Sequence, residues 1–149
     1  MDYTRRAARW LLGATAHPGG DFAFIAGLWR DWSPGYDGGE DVAHVRDSLR
    51  DPANLSAALG YYRAALGTAP APPADPEIAA IESAGGQPSQ PVLYLHGEED
   101  GCIGVAMGRA AEQVLAAPSE VEIVPGCGHF LHLERPDVVN ARILHFLAR

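Results

Sequence analysis

Two loops in the second half of the sequence carry an acid and a base. Asp100 follows a short, nearly continuous apolar run at residues 92–96, and His129 follows a strand-like run at residues 121–124. The carboxyl ends of neighbouring parallel strands share one edge of a sheet, so this order can set the carboxylate beside the imidazole. An Asp–His pair of this kind is the acid and base of a nucleophilic triad, in which the carboxylate orients the imidazole and stabilises its protonated form.

The elements around these loops follow a strand–helix–strand–helix order. A helical pattern covers residues 105–115, and Pro136 suits the first turn of a final helix. This order predicts parallel strands joined by a right-handed crossover, and therefore an α/β fold. Gly126 and Gly128 are expected to allow a tight turn that aims the histidine ring outward.

The sequence gives weaker support to other roles for Asp100, His129 and the residues near them. The alternative is a purely structural role, with Asp100 as a helix cap and His129 as a hydrogen-bonded loop residue. The placement of both residues at consecutive strand ends favours catalysis. His132 lies three residues after His129, as metal ligands can, yet no Glu or Cys pattern supports zinc. Cys102 and Cys127 are expected to be small buried thiols rather than a disulfide, and nothing near Cys102 predicts the lowered pKa of a nucleophilic thiol.

The first half of the sequence is expected to be helical. Helical patterns cover residues 2–12, 21–32, 40–49 and 55–66, the last with Asn54 as its cap. The first of them imitates a signal peptide, but its apolar part is shorter than the roughly 7–15 residues that such a segment needs. We therefore divide the chain into a helical region at residues 1–66, a Pro/Ala/Gly-rich connection at 67–90 and an α/β region at 91–149.

Composition narrows the classes of partner. The 149 residues carry a formal net charge of -8, and their basic residues form no sustained block, which argues against nucleic acid and anionic membranes as partners. No apolar run approaches the ~20 residues of a membrane span. Two cysteines do not make a secreted disulfide framework, so we expect a reducing, cytoplasmic location.

The two loops and the helices resemble one known family. Residues 91–100 and 126–140 look like the acid and histidine segments of an α/β-hydrolase, in which the chain order is nucleophile, acid, histidine. Residues 29–36 and 57–63 resemble the helical cap of its epoxide hydrolase and haloalkane dehalogenase branch. The resemblance implies that Tyr62, just before an arginine, donates a hydrogen bond to the epoxide oxygen. It also implies that three further aromatic residues line the substrate pocket, although such residues are equally often core: Trp29, Trp32 and Tyr61.

The sequence departs from the family pattern in its first part. No segment is identified as a nucleophile elbow, and the oxyanion-hole segment and first strands of the family sheet have no counterpart. The chain resembles a helical cap plus the last two parallel strand–helix units, a partial α/β-hydrolase fold. We therefore expect the chain alone to be inactive, and to self-associate through an exposed sheet edge.

Epoxide hydrolysis is the leading function that the resemblance implies, followed by hydrolysis of an ester or of a carbon–halogen bond. The substrate would be small and apolar, and no cofactor is needed. Two other classes remain open: a non-catalytic ligand-binding module, and a truncated product without an independent role.

Overall fold

The computed structural model describes residues 23–65, 75–83, 88 and 90–149. The predicted helix at residues 2–12 lies outside this part of the chain. The described residues form two strands and seven helices. The strands are β1 (Leu93–Gly97) and β2 (Glu120–Val124), and the helices are α1 (Ala23–Trp32), α2 (Gly39–Leu49), α3 (Pro52–Ala65), α4 (Pro76–Ser83), α5 (Val105–Val114), α6 (Leu131–Glu134) and α7 (Pro136–Leu147).

These elements belong to two compact units. Among the described residues, one unit contains 23–26, 38–65 and 75–83, and the other contains 27–37, 88 and 90–149. The predicted helical region extended to residue 66, whereas the contacts group residues 27–37 with the strands. The role of the remaining helices as a cap stays a prediction.

The second unit is built on the predicted strand–helix–strand order. β1 and β2 are parallel, with Leu93 opposite Glu120 and Gly97 opposite Val124. Helix α5 connects them and packs against both strands. Its Gly108 lies directly on the sheet, because an added Cβ would stand 2.8 Å from Cγ of His96. The α/β class predicted from the sequence is confirmed.

Helix α7 starts at Pro136, as predicted, and is buried only in part. Val139 is buried, whereas Ile143 and Leu147, four and eight residues further along the helix, are 40% and 73% exposed. Arg142 of the same helix pairs with the carboxylates of Glu120 and Glu122 on β2. The charge in the middle of β2, at residue 122, is thus held by an ion pair between helix and strand.

The first unit corrects one predicted helix start. Helix α3 begins at Pro52, because Pro suits the first helical position and the carboxylate of Asp51 accepts the amide of Ala53 at 2.8 Å. Asn54 is therefore not the cap, and its side-chain amide instead donates to the carbonyl of Ser48 at 3.0 Å. The predicted connection at 67–90 contains the eight-residue helix α4. Within the described residues, no helix combines the length and apolar character that crossing a membrane requires.

Candidate active site

The acid lies in the loop that follows β1. Oδ1 of Asp100 accepts the backbone amides of Cys102 at 2.7 Å and Ile103 at 3.0 Å. Helix α5 starts only at Val105, with Gly104 as its cap residue. Asp100 therefore organises the loop before the helix rather than capping the helix, and Oδ2 remains available for a side-chain partner.

That partner is the predicted histidine. Nδ1 of His129 lies 3.0 Å from Oδ2 of Asp100, within hydrogen-bond range. The carboxylate side chain is 5% exposed and the imidazole side chain is 26% exposed. The contact that we predicted between the two side chains is thus present, with the acid shielded and the ring accessible.

The surroundings of Asp100 keep it ionised. Burial raises the pKa of Asp100, but the hydrogen bond from His129 and the amides of Ile103 and Cys102 lower it further than burial raises it. The net result is a pKa of Asp100 below its ordinary value of 3.8. At neutral pH this group is a carboxylate that accepts hydrogen bonds and stabilises a positive charge on the imidazole.

A backbone carbonyl from a distant segment joins the two loops. The carbonyl of Trp32 accepts the amide of Gly101 at 3.1 Å and the amide of His129 at 2.9 Å. The loops also contact each other directly, because the amide of Glu99 donates to the carbonyl of Cys127 at 2.9 Å. The relative position of acid and base is therefore fixed by main-chain hydrogen bonds.

Glu134 and Ser33 hold the histidine loop from its other side. One carboxylate oxygen of Glu134 accepts the amide of Gly128 at 2.8 Å, and the other accepts the hydroxyl of Ser33 at 2.7 Å. The same hydroxyl oxygen accepts the amide of Phe130 at 3.0 Å. The amides at positions 128, 129 and 130 thus all have hydrogen-bond partners. Two of these partners, Glu134 and Ser33, are side chains that were not predicted from the sequence to be functional.

Glycines permit these close approaches. A Cβ on Gly97 would stand 2.0 Å from the carbonyl oxygen of Gly128, and a Cβ on Gly128 would stand 2.5 Å from Cα of Ser33. Only Gly126 of the two glycines around Cys127 has a positive φ, of 66°. At Gly128, close packing of backbones, and not a positive φ, excludes a side chain.

Two tryptophans of the predicted pocket lie beside this loop. The ring of Trp29 stacks on Phe130 with centroids 4.2 Å apart, and the ring of Trp32 meets His129 edge-on at 5.1 Å. Both indole nitrogens are buried without a hydrogen-bond partner among the described residues. Their predicted contact with substrate stays a prediction.

The two tyrosines of the predicted site belong to the other unit. Tyr61 and Tyr62 lie on α3, with 72% and 41% of their surfaces exposed and their rings in edge contact at 5.6 Å. The geometry of the Asp–His pair therefore does not test the roles predicted for them.

The remaining candidate groups do not form a second site. Cys102 and Cys127 are free thiols. Burial and the Asp100 carboxylate raise the pKa of Cys102 to about 11, so this thiol is a poor nucleophile at neutral pH. Burial also raises the pKa of Cys127. No group of three or more metal-ligating side chains, whether around His132 or elsewhere, is found in the described part of the chain.

One segment matches the letters of a nucleophile elbow, contrary to the sequence analysis. Residues 35–39 read Gly-Tyr-Asp-Gly-Gly, which fits G-x-D-x-G. A nucleophile elbow connects a strand to a helix, whereas this segment connects helix α1 to helix α2. The spacing is therefore present without the structural context that would make Asp37 a nucleophile.

Known proteins share sequence with parts of this chain. The chain is 33% identical over 93 residues to epoxide hydrolase 3 of Xenopus tropicalis, a match that covers 62% of the chain and 22% of the relative. It is 40% identical over 57 residues to carboxylesterase YbfK of Bacillus subtilis (strain 168), a match that covers 38% of the chain and 19% of the relative. The matches thus span about a fifth of the length of each relative. No solved structure matches the chain significantly. The model of the alpha/beta hydrolase family matches residues 2–142, nearly the whole sequence, so the chain belongs to the alpha/beta hydrolase family.

Proposed function

We propose that this chain carries the acid and the base of a hydrolase active site that cleaves a covalent ester intermediate. The observation that supports the proposal is the 3.0 Å contact between His129 Nδ1 and Asp100 Oδ2. Because Asp100 is ionised, Nδ1 carries the proton of this contact and Nε2 keeps the lone pair that can accept another. The exposed part of the ring can meet water while the carboxylate stays shielded.

The proposed step is hydrolysis with His129 as general base. Nε2 takes a proton from water as the water oxygen forms a bond to the ester carbon. The tetrahedral intermediate then collapses and the bond from that carbon to the singly bonded ester oxygen breaks. The imidazolium returns the proton to this departing oxygen. Asp100 stabilises the imidazolium between the two transfers. The nucleophile is not assigned to any residue of this chain.

An epoxide is the leading substrate in this proposal. The match to epoxide hydrolase 3 and the position of Tyr62 immediately before Arg63 support it. A phenol at Tyr62 would donate to the epoxide oxygen as the ring opens, with Trp29, Trp32 and Tyr61 against a small apolar substrate. An ester is the second candidate, supported by the match to carboxylesterase YbfK.

The base assignment can be tested without turnover, by nitrogen NMR of the imidazoles in the chain and in Asp100→Asn. We expect His129 to hold its proton on Nδ1 at pH values where the ring is neutral, and to lose this preference in the variant. A ring that favours Nε2–H in the unchanged chain would refute the proposed role.

Catalysis needs a second test, in a chimera that joins an elbow-bearing amino-terminal segment of an epoxide hydrolase to this chain. His129→Ala and Asp100→Asn should each lower turnover by roughly 10⁴-fold, the scale measured for triad members. A chimera that binds apolar ligands but turns over no epoxide or ester would favour the non-catalytic binding module.

Tyr62→Phe separates the two substrate classes in the same chimera. Loss of a donor to a developing alkoxide costs about 3 kcal/mol, or about a hundredfold, so epoxide turnover should fall while ester turnover changes little. Tyr61→Phe, one residue away on the same helix, removes a hydroxyl but keeps the ring that the proposal places against the substrate, so it is the control for loss of a hydroxyl that does not reach the epoxide oxygen. Equal losses for both substrates would assign Tyr62 to packing.

A further inference from the structure

A second histidine approaches the carboxylate of Asp100. His96 lies on β1, is 4% exposed, and places its Nε2 atom 3.5 Å from Oδ2 of Asp100. This distance is longer than a normal hydrogen bond, and Nε2 has no hydrogen-bond partner among the described residues. A buried ring nitrogen in this position requires a reason, because an unsatisfied buried polar atom costs free energy.

The other nitrogen of the same ring has a partner. The hydroxyl of Tyr94 lies 3.0 Å from Nδ1 of His96, and the two rings, two residues apart on β1, are nearly parallel with centroids 5.8 Å apart. Tyrosine can donate to Nδ1 or accept from it. Which nitrogen of the neutral ring carries the proton therefore depends on the group that faces Nε2.

The ionised carboxylate determines which nitrogen carries the proton. A lone pair on Nε2 would face the negative Oδ2 of Asp100 and be repelled, whereas an N–H bond there is attracted. With the proton on Nε2, Nδ1 of a neutral ring is an acceptor and the hydroxyl of Tyr94 donates to it. The order of donors is then Tyr94 to His96 and His96 toward Asp100.

Helix α5 packs closely against His96. A Cβ on Gly108 of α5 would stand 2.8 Å from Cγ and 2.9 Å from Cβ of His96. The same Cβ would stand 2.9 Å from Cδ1 of Ile123. The backbone of helix α5 therefore packs closely on the base of the imidazole side chain, which contributes to its burial.

We infer that His96 is a positioning residue that acts on His129 through Asp100, an inference that rests on the proposed function only for its effect on turnover. Oδ1 of Asp100 is held by the two loop amides, and Oδ2 is approached by His129 at 3.0 Å and by His96 at 3.5 Å. An N–H bond from His96 stabilises the carboxylate and so reduces its attraction for the protonated form of His129. His96 thus weakens the attraction between the Asp100 carboxylate and a protonated His129.

The test is an NMR titration of His129 in four proteins: the unchanged chain, His96→Leu, His96→Gln and Tyr94→Phe. Leucine removes the donor, so the pH midpoint of His129 should rise, by about half a unit if the lost interaction has the size of a weak hydrogen bond. Glutamine can place an amide N–H near the former Nε2 and should restore the midpoint. Tyr94→Phe removes the hydroxyl that donates to Nδ1 of His96, with little change of volume, so it weakens the preference for a proton on Nε2 and should shift the midpoint in the same direction by less.

These outcomes separate positioning from packing. The charged groups near the histidine loop are unchanged in every variant, so their charges do not contribute to the differences: Glu98, Glu99, Glu134 and Arg135. An unchanged or lowered midpoint in both His96→Leu and Tyr94→Phe would overturn the inference, as would a rise in His96→Gln equal to that in His96→Leu. Because the titration needs no turnover, failure of the proposed hydrolase activity in the chimera would leave this result readable.

Discussion

The hydroxyl of Ser33 offers a sharp test of how the histidine loop is held. Ser33 is fully buried, donates to Glu134 at 2.7 Å and accepts from the amide of Phe130 at 3.0 Å. Ser33→Ala removes both contacts at once. The amide of Phe130 loses its partner, while the half-buried carboxylate of Glu134 can regain water in part.

The expected loss of stability follows from these contacts. An unsatisfied buried amide costs about 1–3 kcal/mol, and the lost hydrogen bond to a carboxylate costs about 1 kcal/mol more when water replaces it in part. We therefore expect Ser33→Ala to lower the free energy of unfolding by about 2–4 kcal/mol. Glu134→Gln should cost less, because an amide oxygen can still accept the amide of Gly128 while its NH₂ group faces the oxygen of Ser33.

The assay is urea unfolding followed by tryptophan fluorescence, with amide hydrogen exchange measured in parallel. Exchange should accelerate most at Phe130, the amide that loses its acceptor. Ser48→Ala is the matched control, because this serine is exposed on helix α2 and its substitution should stay within about 0.5 kcal/mol. The reasoning is refuted if Ser33→Ala is as mild as Ser48→Ala and exchange at Phe130 is unchanged.

Three further predictions concern glycine, cysteine and pH. Gly108→Ala and Gly60→Ala each gain about 1 kcal/mol of helix propensity. The new Cβ at position 108 would stand 2.8 Å from His96, whereas the Cβ at position 60 meets nothing within 4 Å. Thermal unfolding should therefore show destabilisation only for Gly108→Ala. Cys102, with its pKa at about 11, and the buried Cys127 should both react slowly with iodoacetamide at pH 8 in the folded chain. Both thiols should react quickly in denaturant, and fast labelling of the folded chain would contradict the prediction. Folding lowers the pKa of Asp100 from 3.8, so its carboxylate stabilises the fold above that pH. The stability difference from Asp100→Asn should therefore shrink as the pH falls below 3.8 toward the lowered pKa.

The elements that carry the pair could be predicted from local sequence patterns. A short apolar run followed by a loop acid, a helical repeat, and a second run followed by a glycine-bracketed histidine specify a strand–helix–strand unit without knowledge of distant contacts. Parallel pairing then places both loops at one edge of the sheet. This is why the contact between Asp100 and His129 was predictable from their positions alone.

The residues that hold the pair could not be predicted in the same way. Ser33 directly follows a predicted helix, and its partners Phe130 and Glu134 lie about a hundred residues away. Glu134 ends a four-residue helix, which is too short to produce a hydrophobic period. His96 was included in an apolar run, where its ring nitrogens carried no signal. Contacts of this kind are tertiary, and a single sequence does not encode them locally.

The glycines of the two loops connect local sequence with tertiary contacts. Gly97, Gly101 and Gly128 all have ordinary φ angles, yet a Cβ would stand 2.0, 2.0 and 2.5 Å from the backbone of another segment. Each glycine therefore marks a point where two stretches of main chain touch, and the partners of Gly101 and Gly128 lie in the segment at residues 31–33. In a loop that carries a candidate catalytic residue, a glycine thus indicates either a left-handed turn or such a contact, and only the second requires a distant segment. The hydrogen bonds from Gly101 and His129 to the carbonyl of Trp32 show that this segment also sets the distance between acid and base.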